Sequence, residues 1–168
     1  MNEASLYDTD VLSWSEQQAA ALRRLERSGL SSAVDWSNVI GGIEQVGLTE
    51  LREAEDRVRV MLGHAIKGYC DPDSHGRIRW SIETGRSSQD LGRFFTESMR
   101  SRIDLDRLWQ EAFDLAMPVV RAEISSIPPA IPTRCPFTLD DLLDDRFTYE
   151  AAVRRLYERL TGHPSDQS

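Results

Sequence analysis

The sequence predicts an all-α protein, a compact multi-helix bundle with a proline-rich strap and short C-terminal helices. Apolar residues recur at helical spacing in nearly every segment. No segment shows the sustained alternation and β-branched enrichment that are typical of strands. Four of the seven prolines fall in "IPPAIPTRCPF", residues 127–137, which we therefore expect to be an extended strap.

Two helices are predicted in the first part of the chain. The first helix begins after Asp8 or Asp10, since aspartate is a good N-cap, and it ends at Gly29. The second helix opens at Asp35. We expect it to stop at Gly47, because glycine is common just after a helix C-terminus.

A third helix follows, with Thr49 as its cap and "CDPDSHG", residues 70–76, as the turn that ends it. Its apolar stripe consists of Leu51, Ala54, Val58, Leu62, Ala65, Ile66 and Tyr69. The fourth helix is predicted to be weak at its start, where Gly85 stands, and clear from Leu91 onwards.

The C-terminal part carries three further helices. The fifth runs from Leu105 to Val120, with Pro118 expected to kink it or to shift its end. Thr138 caps a short acidic helix and Thr148 caps the last one. We expect residues 1–147 to form a single all-α domain, and residues 148–168 to form a helical extension with a disordered tail.

Composition and charge exclude several function classes. The chain has 168 residues, a net charge of -8 and a pI of about 4.9. Because nucleic acids and anionic membranes attract basic surfaces, we expect neither as a partner. The first residues lack the basic and apolar regions of a secretory signal, and no apolar run approaches the roughly 20 residues of a membrane span. Two cysteines provide no disulfide framework, which indicates a reducing cytoplasm.

The stretch "HAIKGYCDPDSHGRIRW", His64 to Trp80, is the most suggestive for chemistry. A metal site there is disfavoured, because His64 and Cys70 point about 120° apart on a helix and no calcium-loop glutamate follows. We predict no structural metal and no cofactor. The preferred interpretation is a helix that ends in a polar turn.

His64 lies far round the third helix from the apolar stripe, on the same face as Val60 and Lys67. Glycines dilute the charge of this face, so we expect the helix to be central and His64 to be mostly buried. A buried imidazole needs a partner, and Glu44 is the first candidate. In the functional alternative, Glu44, His64 and Lys67 form a polar cluster in which His64 is a general base with a near-neutral pKa.

Other catalytic signatures are absent: the sequence has no phosphate loop and no nucleophile elbow. Cys135 lies beside Arg134, which is expected to lower the pKa of its thiol if the two interact. A buried, inert thiol is the preferred alternative.

The order of several segments resembles the bacterial domain-of-unknown-function family number twenty-nine. The segments are "LYDTDVLSW", "DWSNVIGGIEQVG", "LREAEDRVRVMLGHAIK" and "CPFTLDDLLDD", and the resemblance spans residues 6–147. It implies an all-helical fold and no particular activity.

Two hypotheses of function follow. The first is a non-enzymatic protein-interaction or regulatory module in the bacterial cytoplasm, with a protein partner or a homo-oligomer as its assembly. The alternative is an enzyme or small-ligand binder that uses Glu44, His64 and Lys67. A pocket that joins the three side chains favours the second hypothesis, and their burial in interhelical contacts favours the first.

Overall fold

A computed structural model of the chain describes residues 5–29, 31–123 and 130–161, and within these ranges it contains eight helices and no strand. The helices are α1 (Leu6–Thr9), α2 (Val11–Arg27), α3 (Trp36–Cys70), α4 (Arg77–Phe94), α5 (Glu97–Arg100), α6 (Leu105–Glu123), α7 (Leu139–Leu143) and α8 (Tyr149–Thr161). The predicted all-α fold class is confirmed.

The predicted stop at Gly47 is wrong. The second and third predicted helices are one 35-residue helix, α3, that continues through this glycine. A Cβ atom at position 47 would lie 2.9 Å from Leu12 Cα. Gly47 therefore lets the backbone of α2 approach α3 closely, and its role is in packing rather than in helix termination.

The fourth helix is longer at its start than predicted. It begins at Arg77, directly after the turn, and Gly85 lies within it. Thr84 and Ser87 are buried on the same helix, with 0% and 3% of their surface exposed. They share one face with the buried Trp80 and Leu91, and packing of this face stabilises a segment whose intrinsic helix propensity is low.

The chain divides into two compact units. The first consists of Met1–Ala54 and Phe94–Ile103, and it contains α1, α2, the first part of α3, and α5. Asp10 caps α2 by accepting a 3.0 Å hydrogen bond from the Ser13 amide, as predicted. The same carboxylate accepts a 2.6 Å bond from the Ser98 hydroxyl, so it also connects the two segments of this unit.

The second unit consists of Glu55–Arg93 and Asp104–Ser168. Its core is formed by apolar side chains that are almost completely buried, among them Val58, Leu62, Ile66, Leu91, Leu108, Trp109, Leu142 and Leu156. Thr138 caps α7 and Thr148 caps α8 through their hydroxyls, as predicted. The expected boundary between residues 147 and 148 falls inside this unit and stays a prediction.

Residues 130–138 form neither helix nor strand. The Trp109 indole donates a 2.7 Å hydrogen bond to the carbonyl of Pro132, which attaches this segment to α6. Residues 127–129, the first part of the predicted strap, lie outside the described residues. In α6, the helix continues past Pro118 as far as Glu123.

Candidate functional site

The stretch from His64 to Trp80 contains the predicted helix end and turn, followed by the start of α4, which lies earlier than predicted. Helix α3 ends at Cys70, residues 71–76 form the turn, and α4 begins at Arg77. Among the residues that the structure describes, no group of three or more histidine, cysteine and acidic side chains is placed to hold a metal ion.

Both thiols are poor nucleophiles. Burial raises the pKa of Cys70 to about 11, and the nearby charge of Asp71 adds to this effect. Burial likewise raises the pKa of Cys135 to about 11. The lowering expected from Arg134 is therefore wrong, because loss of hydration outweighs nearby positive charge at this site.

His64 is buried, as predicted, with 7% of its side chain exposed. Its Nε2 lies 3.1 Å from Glu83 Oε2, and its Nδ1 lies 3.3 Å from the hydroxyl of the fully buried Thr84. The ring also stacks on Trp80, with 6.4 Å between the ring centroids. All three partners lie on α4, so His64 joins α3 to α4.

The imidazole is neutral at physiological pH. Burial lowers the pKa of His64 from 6.5 to about 4, and the positive charge of Lys67 acts in the same direction. The charge of Glu83 and a hydrogen bond to the Trp80 backbone act to raise this pKa, but they are outweighed. The tautomer with a proton on Nε2 suits the contact with the Glu83 carboxylate, and it leaves Nδ1 to accept from the Thr84 hydroxyl. The near-neutral pKa of the general-base interpretation is wrong for this reason.

Glu44 is not the partner of His64. It lies in the first unit, where its Oε1 accepts a 2.7 Å hydrogen bond from Arg23 Nη2. The carboxylate that sequence reasoning missed is Glu83, whose other oxygen accepts a 2.8 Å bond from Arg79 Nε. Arg79 and Glu83 have the i,i+4 spacing of a helix pair, which is the signal in the sequence that indicates Glu83.

Lys67 lies one turn after His64, and its Nζ is 4.9 Å from the centroid of the Trp80 ring. Burial lowers the pKa of Lys67, while Glu83 and Glu123 counteract this at longer range. Within the described part of the chain, no carboxylate oxygen comes within 4 Å of the ammonium group. The structure thus brings His64 and Lys67 together around Trp80, while Glu44 binds Arg23.

His64 and Lys67 also line a groove of about 460 Å³ between α3 and α6, which we call the α3–α6 groove. Its other lining residues are Asp56, Arg59, Val60, Gly63, Ala112, Leu115 and Ala116. Small residues therefore form a large part of the surface. A Cβ atom at Gly63 would meet nothing nearer than the Ala112 carbonyl oxygen, 4.0 Å away.

The end of the groove opposite Lys67 carries an ion-pair network. Arg59 contacts Asp56, and its Nε lies 2.9 Å from Glu111 Oε2. Arg107 contacts Glu55, and its Nη1 lies 2.7 Å from Glu111 Oε1. Three carboxylates therefore surround two guanidinium groups, and one negative charge is in excess.

Comparisons with known proteins agree with this all-helical architecture. The chain matches the family described as "Domain of unknown function DUF29" over residues 6–148, against the 6–147 predicted from the sequence. It is similar to an alpha-helical protein of unknown function from Rhodospirillum rubrum ATCC 11170, whose crystal structure was determined at 1.45 Å resolution. The two are 34% identical, the TM-score is 0.80, and the match covers 92% of this chain and 99% of the other.

Among curated proteins, none matches this chain significantly. No helix in the described ranges combines the length and the apolar character needed to span a membrane. The family match over residues 6–148 shows that this chain belongs to the DUF29 family.

Proposed function

We propose that this protein is a non-enzymatic protein-interaction or regulatory module of the bacterial cytoplasm, and that the α3–α6 groove is its contact surface. The observation that carries this proposal is the exposure of Leu115. This side chain borders the groove and is 67% exposed. Large apolar side chains that remain exposed around a concave surface are typical of sites where another protein docks.

The apolar stripe of helix α6 is wider than the part that the core covers. The buried part includes Leu108, Ala112, Ala116 and Val120. Leu115 and Val119 extend this stripe at one edge, and Val119 is 42% exposed. On the neighbouring helix, Val60 is 39% exposed at the same groove. A partner that covers these side chains would remove them from water at a favourable free energy.

The net charge of -8 supports a protein partner over a nucleic acid, because phosphate groups are repelled by an acidic protein. The two unpaired thiols support a reducing compartment.

The alternative, an enzyme or ligand binder that uses Glu44, His64 and Lys67, has less support. His64 and Lys67 share the groove, which favours binding there. A general base, however, needs a free nitrogen lone pair, and the Nδ1 lone pair of His64 faces the Thr84 hydroxyl while its Nε2 faces Glu83. The geometry favours contact with a partner over acid-base chemistry.

Site-specific photo-crosslinking tests the proposal in the cells that naturally make the protein. A photoreactive phenylalanine analogue at position 115 should give a discrete crosslinked product of higher mass. The matched control is position 78, because Ile78 is 73% exposed and does not line the groove. A product at position 115 that disappears in a Gly63→Gln background supports the groove as the contact surface. No product at 115, or equal products at both positions, would contradict it.

A further inference from the structure

We infer that the occupant of the α3–α6 groove is a second copy of this chain, packed antiparallel across a two-fold axis so that Lys67 of each copy meets Asp56 of the other. This inference rests on the proposed function, because it requires the groove to be a contact surface. Beyond the proposed function, it identifies the partner and names Lys67 and Asp56 as the charges that align the two copies.

The inference begins with one stripe on α3. Asp56, Val60, Gly63 and Lys67 are spaced four, three and four residues apart, which places them on one face of the helix. All four line the groove. The stripe is about 16 Å long, at 1.5 Å per residue, and it has an acidic residue at one end and a basic residue at the other.

At the basic end, the ammonium group of Lys67 is half-buried and has no carboxylate within 4 Å in the described residues. Both nearby acids are already engaged. Glu83 binds Arg79 and His64, and Glu123 accepts a 3.4 Å hydrogen bond from the Ser74 hydroxyl. A carboxylate from outside the chain would complete the contacts of this partly desolvated cation.

At the acidic end, the network around Arg59 and Arg107 has one negative charge in excess. Asp56 is its most accessible member, with 68% of its side chain exposed, against 38% for Glu111 and 16% for Glu55. Asp56 is therefore the carboxylate that an incoming cation can reach.

The charged pair and the Val60–Gly63 pair on α3 have the same midpoint. The midpoint between Asp56 and Lys67 falls between positions 61 and 62, and so does the midpoint between Val60 and Gly63. A two-fold axis through this point puts Lys67 opposite Asp56 of the second copy. It also puts the half-exposed Val60 opposite Gly63 of the second copy, where no side chain fills the surface.

An isologous interface requires exactly this reciprocity, in which residue i meets residue j and j meets i. An unrelated partner would need a complementary sequence of its own, whereas a second copy supplies the apolar, small and charged groups in register. The exposed Leu115 of each copy then lies beside the shared groove and is covered on association.

Sedimentation equilibrium of the full chain over a range of concentrations tests the inference. We expect a monomer–dimer equilibrium that Lys67→Glu and Asp56→Lys each weaken by at least about tenfold, because like charges then oppose each other. The double variant, Lys67→Glu with Asp56→Lys, restores the opposite pair in reversed order and should regain most of the affinity. Circular dichroism melting of each variant shows whether it is folded.

A chemical test uses the fact that Lys67 is the only lysine in the sequence. A carbodiimide that joins amines to carboxylates should link the Lys67 peptide to the Asp56 peptide. Mixing unlabelled and ¹⁵N-labelled protein before the reaction distinguishes links between copies, which have mixed isotopes, from links within one copy.

A dimer with the charge-swap rescue and mixed-isotope links supports the inference. A chain that stays monomeric at every concentration overturns it, and so does a dimer whose affinity neither charge reversal changes. A monomer that still gives a crosslinked product with another protein at position 115 overturns this inference alone. A monomer with no such product overturns the proposed function as well.

Discussion

His64 and Lys67 are three residues apart on α3, and both contact Trp80, yet their surroundings differ in one respect. Each ring nitrogen of His64 has a partner on α4. The ammonium group of Lys67 has an aromatic face beside it but no carboxylate within 4 Å in the described structure. Burial between α3 and α4 therefore lowers the pKa of His64 strongly, whereas Lys67 is left as the charged group that the proposed second copy contacts.

The largest effect on stability should come from His64→Ala, since both ring nitrogens of His64 have partners on α4. Loss of the Thr84 hydrogen bond, the Glu83 contact and a buried ring should lower the free energy of unfolding by about 3 kcal/mol. Chemical denaturation measures the difference. Val60→Ala, which truncates a half-exposed side chain on the groove side, is the control and should cost less than about 1 kcal/mol. Equal decreases in the free energy of unfolding for the two variants would contradict a structural role that is specific to His64.

Acid should break the same contact in the wild-type chain. The pKa of His64 is about 4 in the folded protein and 6.5 without its environment, so the unfolded chain binds the proton more readily. The contribution of neutral His64 to the free energy of unfolding is fully present above pH 6.5, and it decreases as the pH drops from 6.5 to 4. Allowing for screening by water at the groove, the loss is on the order of 2 kcal/mol.

Unfolding measured from pH 7 to pH 4 in the wild type and in His64→Gln isolates this contribution, because glutamine does not titrate. The glutamine variant should show a shallower decline over this interval. If NMR titration placed the pKa of His64 near 6.5, the buried and neutral imidazole would be disproved.

Alanine substitutions at two glycines of α3 should change the free energy of unfolding in opposite directions, each by about 1 kcal/mol. A Cβ atom at Gly68 would lie 2.8 Å from Tyr149 Cε2, so Gly68→Ala forces a buried ring to move. Part of that cost is offset by the better helix propensity of alanine, which leaves a net loss of about 1 kcal/mol. Gly63→Ala has open space and should gain up to about 1 kcal/mol. Thermal melts measured at low protein concentration compare the two, and destabilisation by Gly63→Ala would contradict an open groove.

The smallest effect should be that of Lys67→Met on the stability of the monomer. The substitution keeps an unbranched side chain over Trp80 and removes the cation–π contact, which is worth less than about 1 kcal/mol at this exposure. Denaturation of dilute protein gives the value. A loss as large as that of His64→Ala would show that Lys67 is a structural residue.

Local signals in the sequence predicted much of the fold. Helical spacing of apolar residues placed the helices, and Asp10, Thr138 and Thr148 marked three of their starts correctly. Gly47 was misread because a glycine that ends a helix and one that admits a neighbouring backbone have the same local pattern. Only the position of Leu12 distinguishes them.

The candidate site was less accessible to sequence reasoning. Burial of His64 followed from the neutral back face of its helix, but Glu83 could not be identified without knowing which helix packs there. The groove depends on the pairing of α3 with α6, and its ion-pair network becomes visible only when residues 52 positions apart, such as Arg59 and Glu111, are brought together.

The composition of the first unit from two separate segments has a consequence for synthesis on the ribosome. Asp10 and Glu16 are translated early, but their partners Ser98 and Arg102 follow more than eighty residues later. The N-terminal helices therefore leave the exit tunnel without their closing segment. This unit can reach its final contacts only after residues 94–103 have emerged, when all of α3 and α4 has already been made.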